Sequence, residues 1–192
     1  VSYTNQNIDD LLPLCERNNQ GAQMEVYQRY YGAMYNTSLR IVKDSATAED
    51  VMQDSFLNAF TKLDSFKGDA TFGSWLKRIV VNNSLNAYNK SKKLKETPIE
   101  DHLYRIEDED DGMAEADLSG VKAKVVVEAM NSLKDNYRQS LSLHLIEGYD
   151  YEEMSEIMNT SYANCRTMVS RAKDSLRKIL EDNEKGYYRT TV

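Results

Sequence analysis

Twenty-five consecutive residues, "ETPIEDHLYRIEDEDDGMAEADLSG" (96–120), carry ten carboxylates and one arginine, and they limit what this chain can fold into. Carboxylates at that density repel one another. The few apolar residues between them, interrupted by Pro98, Gly112 and Gly120, cannot offset the entropy of ordering the segment. No core can run through it, so the 192-residue chain is expected to fold in two pieces. Residues 1–95 carry 12 basic and 10 acidic side chains and residues 121–192 carry 11 of each, so the net charge of −7 is owed to the tether.

Each piece reads as helical. The chain has eight Gly and two Pro, many Lys, Glu, Leu, Met and Ala, and no sustained alternation of apolar and polar residues. The expected fold class is all-α: two small helical domains joined by an acidic flexible linker. The boundaries fall at 1–95, 96–120 and 121–183, with 184–192 as a tail.

In the first domain a short helix is expected over residues 8–17 and a second over 22–42, with Met24, Tyr27, Tyr31, Met34 and Leu39 at helical spacing. A third opens at "TAED", where Thr47 and Asp50 have the spacing of a capping box, and carries Val51, Met52, Phe56, Phe60 and Leu63. Thr71 begins the fourth. The second domain starts near Val121 with apolar positions 125, 126, 129, 130 and 133 on one face. Two short helices and a long final one follow.

Several chemistries find no support. Gly68 and Gly73 have phosphate-loop spacing, but Ser74 and Trp75 follow, so no lysine reaches a phosphate. His102 and His144 lack metal-ligand spacing, and Glu152 and Glu153 diverge by about 100° around a helix axis. No catalytic residue, metal or cofactor is expected, and the chain does not read as an enzyme. Cys15 and Cys165 form no disulfide framework, and no window matches a leader or a membrane span. A cytoplasmic protein without membrane insertion is expected.

Two stretches carry chemistry. "EGYDYEEMSEIMNTSYANCRTMVSRAKDSLRKIL" places helices over 151–158 and 163–180 around the polar "NTS". Met154, Ile157, Met158, Cys165, Met168 or Val169, Ala172, Leu176 and Ile179 point inward, which leaves Arg166, Thr167, Ser170, Arg171 and Lys173 outside. That pattern suits a helix-turn-helix in a major groove and, equally, a helical hairpin with a solvated face. The second stretch, "FKGDATFGSWLKRIVVNNSLNAYNKSKK" (66–93), mixes aromatics, four amides and six basic side chains. An apolar wall, amides and cations are what a protein needs to hold an unstacked base. Trp75, spaced with Phe72 and Ile79, reads as core.

Taken together and in order, these stretches resemble a known family. "SLKDNYRQSLSLHLIEGYDYEEMSEIM" with the closing "SRAKDSLRKIL" is similar to region 4 of bacterial extracytoplasmic-function sigma factors, and "AEDVMQD" with "FKGDATFGSWLKRIVVN" is similar to their region 2. The resemblance implies a subunit that binds core RNA polymerase and directs it to promoter DNA. It implies minus-ten contacts from Phe66, Lys67, Arg78, Asn82 and Asn86, and minus-thirty-five contacts from Arg166, Thr167, Ser170, Arg171 and Lys173. Asp50, Gln53 and Asp54 would dock on basic clamp helices of the polymerase's largest subunit, where carboxylates suit arginine partners. An anti-sigma factor is implied as a further partner.

This sequence departs from the family's pattern at Met168, usually Arg, and at Asn159, usually Gly. Arg78 and Ile79 also stand where primary sigma factors have an aromatic pair, which implies weaker melting of DNA. The acidity fits such a subunit, because a net charge of −7 disfavours tight unaided DNA binding. The competing readings are a stand-alone helix-turn-helix regulator and a helical interaction module without a DNA role.

Overall fold

A computed structural model describes residues 3–96 and 118–189, excluding the side chains of 95, 96, 118–123 and 184–189. It divides into two compact units, residues 1–98 and 99–192. Every regular element among the described residues is helical. The acidic linker expected over 96–120 lies, except at its ends, outside the described residues.

The first unit comprises α1 (Ile8–Glu16), α2 (Gln20–Val42), α3 (Ser45–Thr61), a 3₁₀ turn (Leu63–Ser65) and α4 (Phe72–Glu96). The junction of α1 and α2 is made by two asparagines. Asn18 takes the left-handed conformation (φ 57°) and its N–H donates to Cys15 O, while the Asn19 N–H donates to Leu14 O at 3.0 Å. Those two bonds close α1 as a Schellman motif, a position that glycine usually fills and asparagine tolerates. Asn19 then opens the next helix, its Oδ1 accepting from Ala22 N at 3.0 Å. Thus α2 begins two residues earlier than the apolar spacing suggested.

The third helix is capped by Asp44, whose Oδ1 accepts from Thr47 N at 2.7 Å. This corrects the capping box expected at Thr47 and Asp50: Thr47 lies inside the first turn and supplies the N–H, and Asp50 is exposed. Thr71 does begin α4, its Oγ1 accepting from Ser74 N at 3.2 Å.

Leu11, Leu12, Cys15, Val26, Met34, Met52, Phe56, Leu76 and Val80 fill the core where α2, α3 and α4 meet. Met24, spaced as if part of that face, is 56% exposed; the helix instead turns Ala22, Val26, Met34, Thr37, Ser38 and Ile41 inward. Small polar residues allow α2 and α4 to approach, and Ser84 Oγ donates to Ser38 Oγ at 2.9 Å. At the start of α4, Gly73 permits the same closeness, since a Cβ there would lie 2.9 Å from the Tyr30 ring. Arg29 fastens the amino-terminal segment to α2, donating to Gln6 O at 2.8 Å and Tyr3 O at 3.0 Å.

The second unit comprises α5 (Leu118–Asn131), α6 (Asp135–Leu141), a single π-helical turn (Ser142–Ile146), α7 (Tyr151–Ile157) and α8 (Tyr162–Arg189). Its core gathers Ala129, Met130, Leu133, Leu141, Leu143, Met154, Cys165, Val169 and Ala172. Val125 and Val126, placed on the buried face by their spacing, are 40% and 39% exposed. Two helix limits also differ from the spacing: α5 starts at Leu118, before Val121, and α8 continues past Leu180 to Arg189.

Candidate nucleic-acid interface

On α3 the buried face takes Ala48, Val51, Met52, Ser55, Phe56 and Ala59. Asp50, Gln53 and Asp54 are left together on the exposed side, one turn apart. Gln53 Nε2 donates to Glu49 Oε1 at 3.3 Å, which adds a further carboxylate to the patch.

The amides of α4 divide. Asn82 and Asn86 are exposed one turn apart, whereas Asn83 turns inward and donates through Nδ2 to Ser55 Oγ at 2.9 Å. Arg78, one turn before Asn82, is half-buried. In the preceding loop Lys67 is exposed beside Gly68, which holds φ +78°. Phe66 is placed differently from a free stacking platform, because its ring is half-buried in a cluster, 5.8 Å from Phe72 and 5.4 Å from Trp75. Trp75 and Ile79 pack against the core.

The second unit holds the helix-turn-helix. Its first helix, α7, opens with a complete capping box: Asp150 Oδ1 accepts from Glu153 N at 2.8 Å, and Glu153 Oε2 accepts from Asp150 N at 3.0 Å. Glu153 therefore serves the local fold and is more than a solvated charge. α7 ends in a second Schellman motif with Asn159 at φ 48°; the Thr160 N–H donates to Ser155 O at 3.0 Å. Asparagine serves there because it, like glycine, occupies the left-handed region at small cost. Ser161 Oγ then accepts from Asn164 N at 3.2 Å and starts α8.

On α8, Cys165, Val169 and Ala172 are buried, and burial pushes the Cys165 thiol pKa up. Arg166, Thr167, Ser170 and Arg171 are exposed, and Lys173 is half-buried. Four of these five line one shallow concavity of about 510 Å³, together with Tyr162 and Ala163. Arg166 and Arg171 thus share a hollow although helical rotation sets them about 140° apart. Lys173 lies outside it. Tyr162 was missed by the sequence reading, which began this helix at Ala163; the signal was the one-turn spacing from Tyr162 to Arg166.

From Tyr162 at the concavity a chain of ring contacts leads through Tyr151 to His144. His144 Nδ1–H donates to Tyr149 O at 2.9 Å, a carbonyl that can only accept. The His144 ring stacks on Tyr151 with centroids 4.7 Å apart, and Tyr151 meets Tyr162 edge-on at 5.8 Å. Among the described residues, no group of His, Cys, Asp and Glu is placed to hold a metal ion. Nor is any helix among them long and apolar enough to cross a membrane.

The arrangement has counterparts among known proteins. Residues 26–94 match the family model for Sigma-70 region 2, and residues 123–176 that for Sigma-70, region 4. The ECF RNA polymerase sigma factor SigM of Bacillus subtilis (strain 168) is 31% identical over 155 residues, covering 81% of this chain and 93% of that one. The ECF RNA polymerase sigma-E factor of Haemophilus influenzae is 27% identical over 143 residues, 69% of this chain and 74% of its own. In fold, the chain is similar to the sigma factor RpoE of a Bartonella quintana co-crystal structure (TM-score 0.57, 21% identity, 82% of this chain, 96% of that one). A structure of CnrH gives a TM-score of 0.55 at 20% identity, covering 92% and 99%. With both regions present in order and a relative matched over nearly its whole length, this chain belongs to the extracytoplasmic-function sigma factors, the promoter-directing subunits of RNA polymerase.

Proposed function

We propose that the chain performs its sigma-factor role through three separate surfaces. Residues 1–95 engage core polymerase through Asp50, Gln53 and Asp54. They also hold the opened minus-ten strand through Lys67, Asn82 and Asn86, with Arg78 on its backbone. Phe66 contributes the apolar wall from within its aromatic cluster. Residues 121–183 read the minus-thirty-five element in the duplex through Arg166, Thr167, Ser170, Arg171 and Lys173. Residues 96–120 act as the tether and 184–192 as a tail.

The observation that carries this reading is the division of α8. Three side chains enter the core, and Arg166, Thr167, Ser170 and Arg171 border the concavity on the other side. A helix so divided, held on a capped helix-turn-helix, can enter a major groove without disturbing its own packing. The exposed pair Asn82 and Asn86 offers base-edge donors and acceptors from the other unit.

An anti-sigma factor is a further partner in this proposal; the RpoE structure of similar fold was solved in complex with the anti-sigma factor NepR. The site of action is the cytoplasm, with the polymerase. Sigma factors are in general initiation factors without catalysis of their own, and no catalytic residue is assigned. A stand-alone regulator is less favoured, since it would leave the region 2 unit without a task.

Gel shifts and run-off transcription test the proposal. Promoter-specific binding and transcripts are expected only when core polymerase and this chain are combined. Specific binding by the chain alone would favour the stand-alone regulator, and no specific binding in either case would defeat both.

A further inference from the structure

We propose that Tyr162 reads the C5-methyl group of a thymine in the minus-thirty-five element, one or two base pairs from the base met by Arg166. The proposal rests on α8 being the reading helix, and adds to it a residue and the chemical group it recognises.

Tyr162 is the first residue of α8 and 47% exposed. An exposed tyrosine ring at a helix start is ordinarily free to turn. Here the edge-on contact with Tyr151, 5.8 Å and 87° between ring planes, favours one orientation of the ring. Tyr151 is itself stacked on His144, which the hydrogen bond to Tyr149 O holds in place. A ring braced in this way loses little further rotamer freedom on binding, the condition under which an aromatic contact contributes most.

The braced ring and the Ala163 methyl form the apolar end of the concavity, and Arg166 and Arg171 supply its cations. In the major groove only thymine presents a methyl group, and apolar side chains recognise it, whereas a guanidinium pairs with guanine O6 and N7. Tyr162 precedes Arg166 by one helical turn on the same side, about 6 Å along the axis. Base pairs rise about 3.4 Å, so the two side chains span one or two steps. A concavity with one apolar and one cationic end thus fits a thymine near a guanine.

The test uses holoenzyme assembled from core polymerase and the full chain. A promoter library first gives the preferred minus-thirty-five sequence; each thymine on either strand is then replaced, one at a time, by deoxyuridine, which removes only the methyl. One position is expected to lose about four-fold in promoter occupancy, the effect of one buried methyl-sized contact. Tyr162→Phe should retain that penalty and Tyr162→Ala should abolish it, with circular dichroism checking that both variants are folded. The proposal is overturned if no thymine responds, if the preferred sequence holds no thymine, if Tyr162→Ala stays sensitive, or if Tyr162→Phe behaves like Tyr162→Ala. If neither Arg166→Ala nor any minus-thirty-five substitution alters binding, α8 is not the reading helix and the proposal falls with that assignment. An altered preference in Arg166→Ala without a thymine response removes the Tyr162 proposal alone.

Discussion

Asn83 donates its side-chain amide to Ser55 Oγ at 2.9 Å and joins α4 to α3, while its neighbour Asn82 faces solvent. Two adjacent and chemically identical side chains therefore have separable tasks. Asn83→Ala is expected to lower stability by about 1 kcal/mol, the net contribution of one hydrogen bond, without changing promoter preference. Asn82→Ala should leave the melting temperature in place and cost about 1 to 3 kcal/mol at one minus-ten base. Thermal melts paired with promoter libraries distinguish the two; a shared phenotype would contradict the division.

Replacing Asp50 and Asp54 together by lysine should weaken capture of core polymerase and preserve the helical spectrum. Both side chains are exposed, and surface charges of this kind add little to folding. Pull-down against core polymerase, with circular dichroism as the control, is the measurement. Undiminished capture by a native-like variant would remove α3 from the docking surface.

Arg166 and Arg171 border the same concavity, yet different roles are expected of them. Arg166→Ala should alter minus-thirty-five preference by about 1 to 3 kcal/mol, since residues early in such a helix meet base edges. Arg171→Ala should weaken all promoters alike and reduce the salt slope by about one phosphate contact. Run-off transcription over promoter variants and salt concentrations reads both effects.

Burial pushes the Cys15 thiol pKa up to about 11 from its ordinary 9.0. The folded state thus favours the neutral thiol. Its contribution to stability is complete below pH 9, where neither state ionises, and is lost as pH rises through about 11 because the unfolded chain releases the proton first. Native protein at pH 8 should resist alkylation at Cys15 and Cys165, both wholly buried, and react at both once unfolded. Mass spectrometry after alkylation with and without denaturant gives the result.

The sequence disclosed faces better than ends, and faces better than partners. Apolar spacing located the buried sides of α3, α7 and α8 because one residue in three or four must turn inward on a packed helix. It misplaced the cap of α3 because both Asp44 and Thr47 are good capping residues, and only the path of the chain selects between them. Met24, Val125 and Val126 kept their spacing but lacked an opposing surface, which no single helix can reveal.

For the site, residue type narrowed the candidates and backbone position decided among them. Asn82 and Asn83 differ by about 100° around the axis, and that rotation puts one in solvent and the other against Ser55. Phe66 was legible as an aromatic in a loop; its insertion beside Phe72 and Trp75 depends on the fold of the whole unit. At Asn159 the departure from the glycine of the resembled family was visible in the sequence, but the left-handed φ of 48°, which asparagine tolerates, was not.

The π-helical turn at Ser142–Ile146 extends directly from α6 and precedes the helix-turn-helix. Such a turn is in effect an α-helix with one residue inserted, and each inserted residue swings everything after it by about 100°. The azimuth at which the chain leaves this turn for residues 147–150, which join it to α7, is therefore set by a single residue of chain length. Deleting one residue within the turn would keep every side chain of the reading helix and rotate the end of the turn by about 100°, so residues 147–150 would have to take up the difference.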